Sequence, residues 1–434
     1  MSIHEMTHAL GYQNTDIGLI PKDWNFGKIL DFSKTDDEPI QTGPFGAQLH
    51  SSDYVKEGIP LILIKNIQDG KIIEDNIPRI SLKKADELDR YRLKLGDIVF
   101  SRVGSVGRSA VIKEDQVGWL LSGQMLRVRL ENLEISTDFL SYMIQTSWFQ
   151  KALESKIVGA TRKSINTEIL SNLPIIKPDI SEQQSISTIL STVDNAIQRS
   201  RKAAAETERL KAGVMHELMT NGIGHTEFRE DPDFETVPKE WVVKPLDELI
   251  EIVDCRHHTP TYIESGYPVV RPQNIKMDGI DFSNCTYISR QEYLLMTERH
   301  TPKKGDIVYS RNASFGIPAF VETDREFCIG QDMVVMTKLT ADTKYIFYVL
   351  CSGNIQQQLK QLSGGSTIQR INLKDIRRLL TPEPELKEQQ KISAILTTVD
   401  NKLALQHQRT THYEHLKQGL MNELLTGKRR VKVG

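Results

Sequence analysis

One internal repeat constrains this chain more than any other feature. GIPLILIKNIQDGKI, starting at Gly58, returns as GYPVVRPQNIKMDGI from Gly266, an offset of 208 residues. KLGDIVFSRVGSVGRSAVI from Lys94 returns as KKGDIVYSRNASFGIPAFV from Lys303, offset 209. SGQMLRVRL around Gly123 returns as IGQDMVVMTKL around Gly330, offset 207. EQQSISTILSTVDNAI from Glu182 returns as EQQKISAILTTVDNKL from Glu388, offset 206. ERLKAGVMHELMTNG ends at Gly222 and EHLKQGLMNELLTG at Gly427, and IPKDW at Ile20 has a partner in VPKEW at Val237. Ordered matches at a nearly fixed offset mark one unit of roughly 200 residues present twice, with few insertions. So long a period excludes a solenoid of short repeats.

Each unit is a variable mixed block followed by a more similar tail. In the first tail Ile186, Leu190, Val193, Ile197, Ala204, Lys211, Val214 and Leu218 follow three- and four-residue steps. In the second, Ile392, Leu396, Val399, Leu403, Tyr413, Leu416, Leu420 and Leu424 do the same. That is one packing stripe per helix. Pro178 and Pro384 precede the two tails. Helices of about 40 residues, about 60 Å if unbroken, exceed the globular norm and point to coiled-coil pairing. The alternative is two helical hairpins, broken near the polar stretches 198–209 and 406–412.

The variable blocks read as α/β. Short strand-like runs are Pro60–Ile64, Asp97–Ser101, Met125–Leu130, Val269–Arg271, Asp306–Ser310 and Met333–Thr337, punctuated by glycines. Helices are expected over 137–156 and 343–362, each followed by a glycine turn and a segment with Asn166 or Asn372. The expected order is a first globular head over 1–178, a helix over 179–222, a second head over 223–382, a helix over 383–427 and a basic tail over 428–434.

Composition supports folded cores, with 39% hydrophobic and 26% charged residues. The 55 Lys and Arg nearly cancel the 57 Asp and Glu, so the chain is not a strongly basic coat, although local basic faces remain open. Cys255, Cys285, Cys328 and Cys351 show no CxxC spacing and read as thiols in a reducing compartment. No secretory leader and no membrane-length apolar run is evident, so the expected setting is cytoplasmic.

Catalytic motifs fail one by one. His4, Glu5 and His8 form HExxH, but the next zinc-ligand position is Asn14, and the motif precedes any sheet that would form a cleft. Cys255, His257 and His258 lack a fourth ligand at usual spacing. No P-loop, no Rossmann-type GxGxxG and no [DN]PP[YF] run appears. Glu385 and Lys387 are an E-x-K inside a charged stretch, without a further acidic metal ligand to suggest a nuclease.

Two variable blocks, each closed by a similar tail with an EQQ…IL…VD start (Glu182–Asp194, Glu388–Asp400) and an LK…M.ELLTG-like end, resemble the specificity subunit of type I restriction–modification enzymes. The GDIV.SR segments at Gly96–Arg102 and Gly305–Arg311 are also similar to that family. The resemblance covers nearly the whole chain. It implies two target recognition domains, each reading one half of a split double-stranded DNA sequence, set apart by antiparallel helices. It implies that two modification subunits dock on those helices and methylate adenine with S-adenosylmethionine. Motor-nuclease subunits using ATP and Mg would join them, and this chain itself would hold no cofactor and no catalytic centre. A duplicated protein-interaction scaffold without DNA function is the alternative from a different class.

Base reading in the major groove needs Arg or Lys on guanine and Asn or Gln on adenine, while Lys, Arg, Ser and backbone N–H groups anchor phosphate. The matched positions supply Lys65, Asn66 and Gln68 against Gln273, Asn274 and Lys276. They also supply Ser101, Arg102 and Arg108 against Ser310, Arg311 and Asn312, and Gln124 against Gln331. Thr161, Arg162 and Lys163 follow Gly159, and Thr367 and Gln369 follow Gly365. Residues shared by both repeats either brace the common fold or touch phosphate, because the two halves should read different bases. Base readers are sought among unmatched residues: Gln41, Gln48, His50, Lys71, His257, His258, Arg271 and Lys276. Lys428, Arg429, Arg430 and Lys432 either meet phosphates or form a solubilising tail.

Overall fold

The computed structural model describes residues 11–35, 38–157, 164–276, 279–312, 316–362 and 371–431. It divides into two compact units. The first takes Met1–Ser200 with Arg409–Gly434, and the second takes Arg201–Gln408. The division falls within both long helices, so the units cut across the segments expected from chain order.

The two heads have one topology. In the first, a four-stranded antiparallel sheet runs Ser109–Val111, Ile98–Ser101, Met125–Val128, Ile40–Thr42. In the second, Pro318–Phe320, Ile307–Ser310, Met333–Lys338 and Ile250–Asp254 stand in the same order. A second four-stranded sheet also recurs, with Leu120–Leu121 parallel to Ile59–Ile62 and Cys328–Ile329 parallel to Tyr267–Val270. Strands of the first sheet in each head, such as Ile98–Ser101 and Ile307–Ser310, are buried on both faces. That is why they read as continuous apolar runs rather than alternating ones.

The described α-helices are α1 (Leu82–Glu87), α2 (Thr137–Ile144), α3 (Ser147–Ile157), α4 (Thr167–Ser171), α5 (Ile180–Thr220), α6 (Arg290–Met296), α7 (Thr343–Cys351), α8 (Gly353–Leu362), α9 (Leu373–Arg377) and α10 (Leu386–Leu424). The single helices expected over 137–156 and 343–362 are each split in two. Thr146 Oγ1 accepts from Phe149 N at 3.4 Å and Ser352 Oγ from Ile355 N at 3.5 Å, so each hydroxyl starts a new helix.

Helices α5 and α10 are continuous, at 41 and 39 residues, and the broken-hairpin alternative is excluded. Their polar middles hold no proline or glycine, and helix propensity carries the chain through. In the first unit, Ile186 and Leu190 of α5 share a core with Leu420, Leu424 and Leu425. In the second, Leu218 and Val214 of α5 share a core with Ile392 and Leu396. The pairing is therefore antiparallel, and the end of each helix packs into the head of the other repeat.

The repeated motifs are the clasps of this arrangement. Asp194, of the VD motif, accepts from Tyr142 Oη of α2 at 2.8 Å and pairs with Lys417 at 2.7 Å. Asp400 accepts from Tyr348 Oη of α7 at 2.8 Å and pairs with Lys211 at 2.6 Å. Burial, then the neighbouring carboxylate, pushes the Tyr142 phenol well above its ordinary range, so it stays a donor. Glu182, of the first EQQ motif, accepts from Trp24 Nε1 at 3.0 Å and from Arg430 Nε at 2.8 Å, while Arg430 also forks onto Asp23. Glu388 accepts from Trp241 Nε1 at 3.2 Å, and His225 bridges Glu388 and Glu240. The following glutamines, Gln183 and Gln389, are buried and receive Ser136 N and Asp342 N, at the starts of α2 and α7.

Two expectations are corrected. Arg430 is neither a frayed tail residue nor free for phosphate, because two carboxylates hold it; Arg429 pairs with Glu423, and Lys432 lies outside the described residues. Leu416 does not belong to the packing stripe, being 43% exposed. At 100° per residue the inward row is Tyr413, Lys417, Leu420 and Leu424, and Leu416 stands one residue off it. The remaining stripe positions, including Val193, Ile197, Val399 and Leu403, are buried or half-buried.

Leu190→Ala and Leu396→Ala should each cost about 2–5 kcal/mol, and Leu416→Ala about 0.5 kcal/mol or less, in denaturant unfolding of the full chain. Arg430→Ala should cost roughly 1.5–3 kcal/mol by leaving Glu182 short of a donor. The Arg430 hydrogen bond, opposed by slight burial, holds the Asp23 carboxyl below its usual range. That contribution is present above the ordinary carboxylate pKa and disappears as pH falls through the depressed value, so the difference between wild type and R430A should shrink in acid.

Candidate nucleic-acid interface

At one end of the main sheet of the first head, several connections meet. The loop after Ile40–Thr42 touches the turn before Met125–Val128: Gly43 N donates to Met125 O at 3.1 Å. A Cβ on Gly43 would lie 2.2 Å from Ser122 O, and one on Gly123 would lie 2.3 Å from Pro44 O. Only glycine lets these backbones approach so closely. The loop after Ile98–Ser101 joins them through Arg102 N to Gln124 O at 2.9 Å. Ser164 bridges Val103, and Ile165 N donates to Arg102 O at 2.9 Å, which brings the segment after α3 to the same place.

Side chains there are held from below. Ser101 is buried; its hydroxyl donates to Ser105 O and accepts from Arg108 N. Arg102 donates through Nε to Ile165 O at 3.2 Å, and its guanidinium lies 5.1 Å from the Phe45 ring centroid. Phe45 is 51% exposed. Its N–H donates to Gln48 Oε1 at 3.2 Å, which also receives Tyr91 Oη at 3.1 Å. Arg108 and Gln124 are exposed beside this group.

The second head builds the same end with different chemistry. Arg311 N donates to Asp332 O and Arg311 Nε to Ile371 O. The Arg311 guanidinium is buried against Asp254 at 2.9 Å. His257 also faces Asp254, at 3.3 Å, and His258 faces Glu292 at 2.9 Å. Gln331 donates to Thr259 at 3.1 Å, Asn312 to Asp332 at 3.3 Å, and Ser310 to Asn312 O at 2.8 Å. Arg271 runs its stem beside Gly330.

Other candidates lie elsewhere or inside. Asn66 is buried, accepting from Leu63 N at 3.1 Å and donating to Ile73 O at 3.1 Å; Asn274 repeats this with Arg271 N and Asp281 O. Both brace a turn, and with Ser101, Ser310 and Arg311 they are spent on the fold. Gln41 is buried in its strand, donating to Glu38 at 3.3 Å. Lys65, Gln68, Gln273 and Lys276 are exposed on those turns and the hairpins after them, and His50 is exposed on the loop ahead of Ser51. Lys71 lines a cleft of about 360 Å³ against α5, apart from the loop cluster. Thr161, Arg162, Lys163, Thr367 and Gln369 lie outside the described residues, as does the HExxH run.

Among the described residues, Asp254, Cys255 and His257 bring ligand atoms within 4.8 Å of one another. The set suits a cation poorly, since the Arg311 guanidinium already occupies Asp254 and burial pushes the Cys255 thiol up, away from the ligating thiolate. Phe45 and Thr42 were missed at the sequence level. The Gly43-Pro44-Phe45-Gly46 run, an aromatic between turn residues, was the available signal.

Two similar heads closed by paired helices define a duplicated recognition architecture. Residues 21–207 and 238–414 each match the family described as type I restriction modification DNA specificity domain, and the chain belongs to that family. It is similar to the putative type I restriction enzyme MjaX specificity subunit of Methanocaldococcus jannaschii, at 28% identity over 97% of both chains. The MjaVIII specificity subunit of the same organism is 24% identical over 95% of this chain and 94% of that one. The type I S subunit structure from M. genitalium matches with a TM-score of 0.58 and 15% identity, covering 92% of this chain and 96% of that one. The role is that of a non-catalytic DNA-specificity subunit. No described helix is long and apolar enough to cross a membrane.

Asp254→Ala should leave Arg311 buried and unpaired and destabilise the second unit by about 3–5 kcal/mol. Differential hydrogen exchange of residues 201–408 against the rest of the chain measures this.

Proposed function

We propose that each head reads one half of a split duplex DNA sequence, and that the helices carry the methyltransferase subunits whose methylation the reading directs. One observation carries this: the same loop-bearing sheet end is built twice, with different side chains at its tip. Identical scaffolds with different tips suit two half-sites of different sequence. Exposed Arg108 and Gln124 there, on loops braced by the buried Ser101, suit the major-groove edges and phosphates of DNA. Docking on the helices is supported by Leu210 and Leu416, exposed at equivalent positions, each followed one turn later by a glycine, Gly213 or Gly419, with open space around it. An apolar side chain beside a bare backbone suits close approach of another helix. S-adenosylmethionine, ATP and Mg belong to the partner subunits in this reading, and motor-nuclease subunits join the same assembly.

Genome-wide methylation mapping with the assembled complex tests it. Replacing residues 1–178 by the head of a relative should change one half of the mapped sequence and leave the other. Adding a helical turn to α5 and α10 should change only the gap. A contiguous site, or a half-site altered by the helical insertion, would overturn the division of labour.

A further inference from the structure

The matched arginines Arg102 and Arg311 follow equivalent strands of the two sheets, yet one strand position beside them differs in chemistry. Phe100 opposes Leu126, which opposes Thr42; Tyr309 opposes Val334, which opposes Asp254. Thr42 and Asp254 therefore share a register position. In the second head that position supplies the carboxylate that takes Arg311 Nη1, and the side chain is buried. In the first head it supplies a threonine. Among the described residues, the Arg102 side chain donates its Nε to Ile165 O and no carboxylate meets its terminal nitrogens.

We propose that Arg102 reads a guanine in the first half-site, with Phe45 as the positioning residue, and that Arg311 does not read DNA. This rests on the reading of the heads as half-site readers. A guanidinium fixed at Nε and laid against an aromatic ring has lost most of its rotamer freedom before binding. Its two terminal amino groups, without a hydrogen-bond partner among the described residues, form the fork that matches guanine O6 and N7. Phe45 is itself fixed, between Pro44 and the left-handed Gly46 (φ +47°), with its N–H on Gln48. An exposed phenyl ring on so constrained a loop is explained by the plane it gives Arg102 and by apolar contact beside the base. Arg311 has no such fork to offer, because one arm already holds Asp254.

Once the two half-sites are mapped, binding of the complex with its modification subunits is measured on duplexes carrying 7-deazaguanine at one guanine at a time. Wild type should lose about tenfold or more at one guanine of the first half-site. Arg102→Ala should weaken the natural duplex by a similar factor and be indifferent to that substitution. Thr42→Asp, which copies the pair of the second head, should do the same while thermal unfolding shows the chain folded. Phe45→Ala should reduce the discrimination, and Phe45→Tyr should restore most of it. Arg311→Lys should leave discrimination in both half-sites intact. The proposal is overturned by wild type indifferent to every 7-deazaguanine in that half-site. It is equally overturned by Arg102→Ala weakening all sequences alike with a shallower salt dependence, the mark of a phosphate contact. A wild-type complex without any bipartite preference would instead sink the half-site reading itself.

Discussion

Everything else in this molecule depends on the carboxylates at the start of each long helix. Glu182 and Glu388 are buried or nearly so, and each is satisfied by a tryptophan of its own head and a nitrogen side chain, Arg430 or His225, just past the end of the other helix. A buried carboxylate is costly unless its acceptors are filled, so these two sites specify which segments must come together. Asp194 and Asp400 repeat the logic further along each helix, taking a tyrosine from the head and a lysine from the opposing helix. Apolar packing around Leu190 and Leu396 supplies stability, and the ionic clasps supply register.

This explains why the tails are more alike than the heads. A tail residue must satisfy its own head and the partner helix together, so a change in one repeat has to be met by changes at two places. The third partner of the clasp shows how such change is accommodated. Arg430 and His225 stand at equivalent positions, with Asp23 and Glu240 beside them, and the pairing survives a change of both the nitrogen side chain and the carboxylate. Head loops carry no such double obligation. Beyond the glycines that let backbones touch and the buried Asn66, Asn274, Ser101 and Ser310 that brace the turns, their side chains are free to differ.

The duplication, the two helices and most of the stripe were legible in the sequence because they are periodic and because repeats can be laid over each other. Periodicity also misled. Leu416 fits three- and four-residue steps, but Lys417 takes the inward place because Asp194 waits there for it. The breaks at Thr146 and Ser352 were hidden because helical periodicity continues through them while the hydroxyl caps act locally. The motifs themselves were visible, yet their role was not: EQQ, VD and LK are meaningful only once residues some 200 positions apart are adjacent. Asn66 and Asn274 look like adenine readers on paper, and burial turns them into turn braces.

The least legible feature is the one that separates the two heads. Arg102 and Arg311 align without ambiguity in the GDIV.SR segments, so sequence comparison treats them as one residue. Their difference comes from Thr42 and Asp254, which lie in the stretch where the repeats share no visible similarity and become equivalent only through strand register. A sheet position is a fixed point in space, whereas a loop position is not. Diversification of such a scaffold can therefore act from beneath the loop surface: an acidic residue in a strand, here Asp254, pairs with an arginine and engages one arm of its fork without any change to the arginine itself. Matched residues are then a poor guide to shared function in a duplicated reader, and the strand residues beneath them a better one.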